Sequence, residues 1–500
     1  MSDLISLNHS EMRDGLVAKK FSVRELVTAH LTRIEKSNET LNSFVTVAQD
    51  QALIQADAAQ RVIEEQGKNA PRMCGIPVAV KDMIVTKDLR TTAASRMLEN
   101  YISPFDATVV ARLKQRHAVI VGKTNLDEFA MGASNENSYF GAVRNPWDLS
   151  RVPGGSSGGS AVAVATGQAV AALGTDTGGS IRQPASLTGV VGLRPTYGRV
   201  SRYGAIAFAS SLDQIGAFGR TVGDVAATME IISGVDENDA TSMAVDVPSY
   251  CERLAQLPED YLQGKRIGVP KEYFIDGMEK EVEVSVRAAI AELGRLGAEI
   301  VEISLPHTEH ALAAYYIINP AEASSNLARY DGVRFGHRAP EFKNLTEMYE
   351  NTRAEGFGGE VRRRILIGTY VLSAGYYDAY YRKAQQIRTL IINDFKAAFA
   401  NSCDLVAAPV SPTTAFKIGE KAESPLQMYL ADVFTVPVNL AGLPGLSVPC
   451  GFDSQNLPIG LQLIGPPFSE DRLMEVGECF IRSNKFDTRT MTKKQFNGAN

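Results

Sequence analysis

Pro153-Gly-Gly-Ser-Ser-Gly-Gly-Ser160 runs into an apolar segment and then into Gly174-Thr-Asp-Thr-Gly-Gly-Ser180. Two serines in this stretch, Ser156 and Ser180, each follow a glycine pair. Upstream, the apolar run Pro77-Val-Ala-Val-Lys81 ends in a lysine. Serine is a poor nucleophile until a neighbouring group removes its proton. Lysine can do so only where burial keeps it neutral. Glycines beside a serine let several backbone N–H groups aim at one point, which an oxyanion requires. The combination predicts a serine hydrolase whose base is a lysine.

Each part has a plainer reading when taken alone. Gly-Ser runs are commonly flexible loops. Here the run passes directly into the small-residue helix signal Ala161-Val-Ala-Val-Ala165, and the second Gly-Gly-Ser follows a strand-like run, Ala169 to Leu173. The N–H groups of Thr177, Gly178, Gly179 and Ser180 would then meet at a helix N-terminus, where anions are favoured. Gly154-Gly-Ser156-Ser-Gly158 also satisfies the nucleophile-elbow pattern, but that elbow needs a preceding strand and a later Asp and His. Arg151-Val-Pro153 is a poor strand, and none of His9, His30, His117, His307, His310 and His337 lies in the Gly-Ser core. Gly122-Lys-Thr124 follows a strand as a phosphate-binding loop would, but His117 stands where that motif requires glycine.

The chain has 500 residues, 44% hydrophobic and 22% charged, as in a globular protein with a large core. Its 51 basic and 57 acidic side chains leave a net charge of −6, which disfavours a surface built to coat nucleic acid. No basic segment followed by an apolar one opens the sequence, so no signal peptide is expected. The apolar stretch Ala161 to Leu173 is too short to span a bilayer. The five cysteines, Cys74, Cys251, Cys403, Cys450 and Cys479, are scattered without metal or redox spacing and read as reduced thiols of a cytoplasmic protein.

The first sixty or so residues carry helix signals, including a capping box at Ser22-Val-Arg-Glu25. Strands are expected at 76–80, 118–121, 266–269, 299–303, 404–408 and 460–464. Helices are expected at 107–116 and about 280–296. This alternation predicts an α/β layered fold around a mixed, buried sheet. The turn-rich segments 234–257 and 411–425 read as surface excursions, and the polar tail, 486–500, as frayed.

Taken together, Lys81, Ser156 and Ser180, with the flanking Gly122-Lys-Thr-Asn-Leu-Asp-Glu-Phe129, Arg144-Asn-Pro-Trp147 and Gly189-Val-Val-Gly-Leu-Arg-Pro-Thr196, resemble the amidase signature family. The signature core covers about 75–219. The resemblance implies one α/β/α domain over 1–485 with a mixed central sheet flanked by helices. Outside the core, Tyr315-Tyr-Ile-Ile318, Glu322 to Arg334, Glu355 to Ile365, Gly375 to Tyr381 and Thr435 to Gly445 resemble one branch, the glutamine-hydrolysing subunits of tRNA-dependent amidotransferases. Asn319 and His337 depart from that branch, where a small residue and a tyrosine are expected.

The branch implies a nucleophile at Ser180, a proton relay at Ser156 on a cis peptide and a general base at Lys81. It implies oxyanion donors at Thr177, Gly178 and Gly179. It further implies substrate recognition by Tyr315, Arg364 and Asp432, although Arg362, Arg363 and Arg364 also read as one charged helix face. Asp176 and Arg182, flanking Ser180, are expected to pair and brace the loop. No metal and no cofactor are implied for this chain; ATP and Mg would sit on a partner. The implied partners are the B and C subunits of a heterotrimer, with glutamine as substrate and misacylated tRNA reached through the complex. A free-standing amidase of the same family is the alternative.

Overall fold

In the computed structural model, residues 4–422, 424–484, 486 and 488–496 are described. Eleven strands form one mixed sheet. They are β1 (Phe44–Val47), β2 (Pro77–Lys81), β3 (Val119–Thr124), β4 (Ala171–Thr175), β5 (Val191–Arg194), β6 (Ile215–Gly219), β7 (Arg266–Pro270), β8 (Glu299–Ile303), β9 (Leu405–Pro409), β10 (Gly445–Phe452) and β11 (Pro458–Ile464). Their order across the sheet is β1-β3-β2-β4-β6-β5-β10-β11-β9-β7-β8. The strands expected from the sequence are all present with small shifts at their ends, and the α/β fold with a mixed sheet is confirmed.

Strand chemistry follows position. Every residue of β2, β3 and β4 is buried, and these strands read as apolar runs that turn polar only at their C-terminal ends, without polar alternation. β8, at one edge, carries Glu299 and Glu302 exposed, which discourages pairing with another chain. The capping box at Ser22 and Glu25 forms and opens the helix Val23–Leu41.

Parallel pairing of β2 with β4 and β3 sets the site. Val80 lies opposite Leu173, and Lys81 opposite Thr124. The end of β2 thereby comes beside the end of β4, from which the loop to Ser180 departs. The buried helices Gly158–Ala165 and Arg182–Thr188 follow the two serine loops and pack on one another.

Two expectations are corrected. The segment 411–416 is largely buried, because Val152 N–H donates to the Phe416 carbonyl at 3.0 Å and Arg151 Nη1 donates to that of Ala415 at 2.5 Å. The described part of the tail is also docked. Arg489 pairs with Glu11 at 2.9 Å, Lys494 Nζ donates to the Pro146 carbonyl at 2.7 Å, and Phe496 is buried with Val143 and Val162. An apolar anchor, one ion pair and a lysine on a backbone carbonyl hold a segment that looked merely polar; 497–500 lie outside the described residues.

Candidate active site

Lys81 is fully buried at the end of β2. Its Nζ lies 2.8 Å from Ser156 Oγ, 2.8 Å from Ser157 Oγ and 2.7 Å from Thr175 Oγ1. Burial brings the Lys81 amine down to about 7, against the opposing pull of Asp127, Asp176 and Asp213. A neutral amine has two protons and one lone pair, so three hydroxyl neighbours require one of them to donate to nitrogen. Ser157 Oγ also lies 3.1 Å from the Thr175 carbonyl and can donate its proton there. That leaves Ser157 free to accept from Lys81, and Ser156 free to donate to it. Ser157 and Thr175 were missed at the sequence level. The only signals for them were adjacency to Ser156 and a position at the end of β4.

The Gly155–Ser156 peptide bond is cis. Gly155 cannot be replaced, because a Cβ there would stand 2.1 Å from Asp127 Oδ2 and 2.7 Å from the Ser134 nitrogen. The two serine loops are tied together by Ser157 N–H donating to the Ser180 carbonyl at 3.2 Å. Ser180 itself retains 7% exposure. Among the described residues, the backbone N–H groups of Thr177, Gly178, Gly179 and Ser180 donate to no protein acceptor.

Buried charges brace this loop. Asp176 takes Arg182 Nε at 3.1 Å and Asn439 Nδ2 at 2.8 Å, and Arg194 Nη1 stands at 3.7 Å. Burial works against the Asp176 carboxylate, but Arg182 and Arg194 overcome it and hold its pKa below the usual range. Thr177 Oγ1 donates to Asp213 Oδ1 at 2.6 Å, and Asp213 Oδ2 takes the N–H groups of Phe208 and Ala209. Removing one member of such a buried set strands the others. Asp176→Ala should destabilise the fold by about 3–5 kcal/mol, read as a lower urea midpoint.

Two further side chains, Tyr315 and Asp432, close on the loop. A Cβ at Gly178 would lie 2.6 Å from the Tyr315 hydroxyl, and one at Gly179 would lie 3.2 Å from Asp432 Oδ1. Asn319 Nδ2 donates to the Tyr315 hydroxyl at 2.9 Å, leaving the Tyr315 proton available to another acceptor. Asp432 is 7% exposed, and its Oδ1 has no hydrogen-bond partner. Burial pushes its carboxyl well up, and the Asp176 charge adds to the shift, with Arg364 opposing. Of the three consecutive arginines, only Arg364 is buried. Its Nε donates to Glu360 Oε1 at 2.8 Å, and its guanidinium lies 5.4 Å from the Tyr316 ring centre and 5.5 Å from that of Tyr429. His337 pairs instead with Glu355 at 2.9 Å.

Among the described residues, no group of three or more His, Cys, Asp or Glu side chains could hold a metal ion, and no helix is long and apolar enough to cross a membrane.

A buried lysine amine at 2.8 Å from a serine hydroxyl is the equipment of a hydrolase that works through serine. The Amidase family model matches residues 25–474, and the chain belongs to that family. Among its relatives is the A subunit of the glutamyl-tRNA(Gln) amidotransferase of Geotalea daltonii, 54% identical over 97% of this chain and 99% of that protein. The crystal structure of the corresponding A subunit from Thermotoga maritima, also of a glutamyl-tRNA(Gln) amidotransferase, is 43% identical, with a TM-score of 0.78, over 100% of this chain and 97% of that one. The native peptide amidase of Stenotrophomonas maltophilia, 31% identical with a TM-score of 0.79, covers 96% and 97%.

Proposed function

We propose that the chain is the glutamine-hydrolysing component of a tRNA-dependent amidotransferase. The observation that carries the chemistry is the buried Lys81 amine within 2.8 Å of Ser156 Oγ. Ser180 Oγ attacks the side-chain carbonyl of glutamine while its proton passes to Ser156 Oγ and the Ser156 proton to Lys81 Nζ. The free N–H groups of Thr177, Gly178, Gly179 and Ser180 stabilise the oxyanion; one such donor is worth about 3 kcal/mol of barrier. Collapse of the tetrahedral intermediate breaks the C–N bond. Lys81 returns its proton through Ser156 to the departing nitrogen, releasing ammonia and leaving a glutamyl ester on Ser180. Water then hydrolyses the ester to glutamate, with Lys81 again accepting a proton through Ser156.

Recognition of glutamine follows from charge. Arg364 holds the α-carboxylate, Asp432 pairs with the α-ammonium and Tyr315 donates from its hydroxyl. An unpartnered, buried oxygen on Asp432 supports this assignment, since an arriving ammonium would satisfy it and favour the ionised carboxylate that burial otherwise opposes. An amidase for uncharged amides has no use for that pair. The ammonia passes to a B subunit, which uses ATP and Mg to amidate misacylated Glu-tRNA(Gln), and a C subunit joins the two in a cytoplasmic heterotrimer. The near-full-length similarity to proteins named for that activity supports this reading.

The test is ammonia release from glutamine by the chain alone and with its B and C subunits. Activity that rises with the partners is expected. In the same assay, Arg364→Ala should raise the glutamine KM by about a hundredfold, since a lost charge-assisted contact is worth ~3 kcal/mol, while leaving a neutral amide such as propionamide little affected. Turnover of propionamide without any of glutamine would instead favour a free-standing amidase.

A further inference from the structure

The segment Asp127-Glu128-Phe129 lies directly behind the serine loop. Asp127 N–H donates to the Ser156 carbonyl at 3.2 Å, and Glu128 N–H to that of Asn137 at 2.8 Å. The Glu128 side chain turns the other way. Its Oε2 accepts the N–H of Gly358 at 2.9 Å, and its Oε1 lies 2.5 Å from Ser95 Oγ. Gly358 caps the helix Gly359–Val371, which carries both Glu360 and Arg364. A Cβ at position 358 would come within 2.3 Å of Glu128 Oε2, so the carboxylate is seated directly on the start of this helix. Phe129 and Phe357 pack edge to face at 5.7 Å beside it. At 5% exposure, the carboxylate has no water-rich surroundings to satisfy it.

We propose that Glu128 is a positioning residue for substrate recognition: it ties the start of the helix Gly359–Val371 to the serine loop and so sets where Arg364 stands relative to Ser180. The inference rests on the glutamine-hydrolysis reading above. Arg364 lies about 9 Å along the helix from the Gly358 tether, at 1.5 Å per residue. A tilt at the tether therefore displaces the guanidinium, while the serines, held through backbone bonds of Asp127 and Ser157, stay in place. Burial pushes the Glu128 carboxyl up to about 7. The tether holds in either protonation state, because a protonated Oε1 can donate to Ser95 Oγ, whose own proton then reaches the Gly356 carbonyl at 3.1 Å. Glutamine at this position can make the same arrangement through its Nε2.

The experiment compares glutamine with propionamide, which lacks the α-carboxylate, on the chain assembled with its partner subunits. Glu128→Ala should raise the glutamine KM about tenfold or more, since a displacement of ~1 Å in a positioning group can cost up to a hundredfold. Its kcat/KM for propionamide should stay within about threefold of wild type, and Glu128→Gln should restore the glutamine KM. Ser95→Ala should raise the glutamine KM severalfold in the same selective way. Equal losses on both substrates, an unchanged glutamine KM in folded Glu128→Ala, or no rescue by Glu128→Gln would overturn the proposal. Should Glu128→Ala fail to fold, an unchanged glutamine KM in Ser95→Ala would overturn it equally. A wild-type complex that turns over propionamide but not glutamine overturns the substrate reading, and this inference with it.

Discussion

Replacing Lys81 by methionine should lower the turnover of glutamine by about 10³–10⁴-fold, the upper range for loss of a positioned general base. Methionine keeps the unbranched shape and fills the same buried space, so the loss reports chemistry. The glutamine KM should change little, because Tyr315, Arg364 and Asp432 are untouched. The three hydroxyls around Nζ lose their shared partner, and a lower urea midpoint should accompany the change. The wild-type pH profile supplies an independent check. Only the neutral amine can accept a proton, and burial brings Lys81 down to about 7. Activity should therefore rise with pH up to about 7 and level off above it. In the acid limb, kcat/KM should fall about tenfold per pH unit as Lys81 becomes protonated. A flat profile between pH 5 and 8 would remove Lys81 from the base role, as would substantial turnover by Lys81→Met.

Ser180→Ala should abolish turnover of glutamine, with a loss on the order of 10⁴–10⁶-fold, and should abolish covalent labelling by a serine-directed phosphonate. Glutamine binding measured by calorimetry should persist, because the groups proposed to hold its charges remain. Ser156→Ala separates the two serines. It removes the relay but keeps the nucleophile, so slow labelling at Ser180 should survive. Undiminished labelling of Ser180→Ala at another serine would transfer the nucleophile to that residue. Labelling absent from the wild-type chain would argue for a protein that binds without catalysing.

Much of this site could be read before the fold was known, for a local reason. Glycine pairs before Ser156 and Ser180 are stretches whose backbone approach no other residue permits; at Gly155 an added Cβ would meet Asp127 Oδ2 at 2.1 Å. The apolar runs that became β2, β3 and β9 were equally plain, because strands covered on both faces need no polar alternation. The strands β5 and β6 escaped notice. Val191-Gly-Leu-Arg194 and Ile215-Gly-Ala-Phe-Gly219 are short and interrupted by glycine, and pairing with β4 and β10 stabilises them more than their own propensity does. The polar tail and the segment 411–416 misled for the opposite reason. Their polar groups find partners far away in sequence, such as Glu11 and Arg151.

By itself the sequence determined which groups are available: a lysine ending an apolar strand, Ser156 and Ser180 after glycine pairs, and apolar runs enough for an α/β sheet. Tertiary structure decided what those groups are worth. Pairing of β2 with β4 sets Lys81 beside Thr175 and the serine loop, and full burial there turns an ordinary ammonium into an amine able to accept a proton. It also buried Arg364 while leaving the two adjacent arginines in water, and it seated Glu128 on the helix that carries Arg364. Residue type and local spacing are properties of neighbours in the chain. Desolvation and long-range hydrogen bonds sum over residues hundreds of positions apart, and only the folded chain brings them to one place.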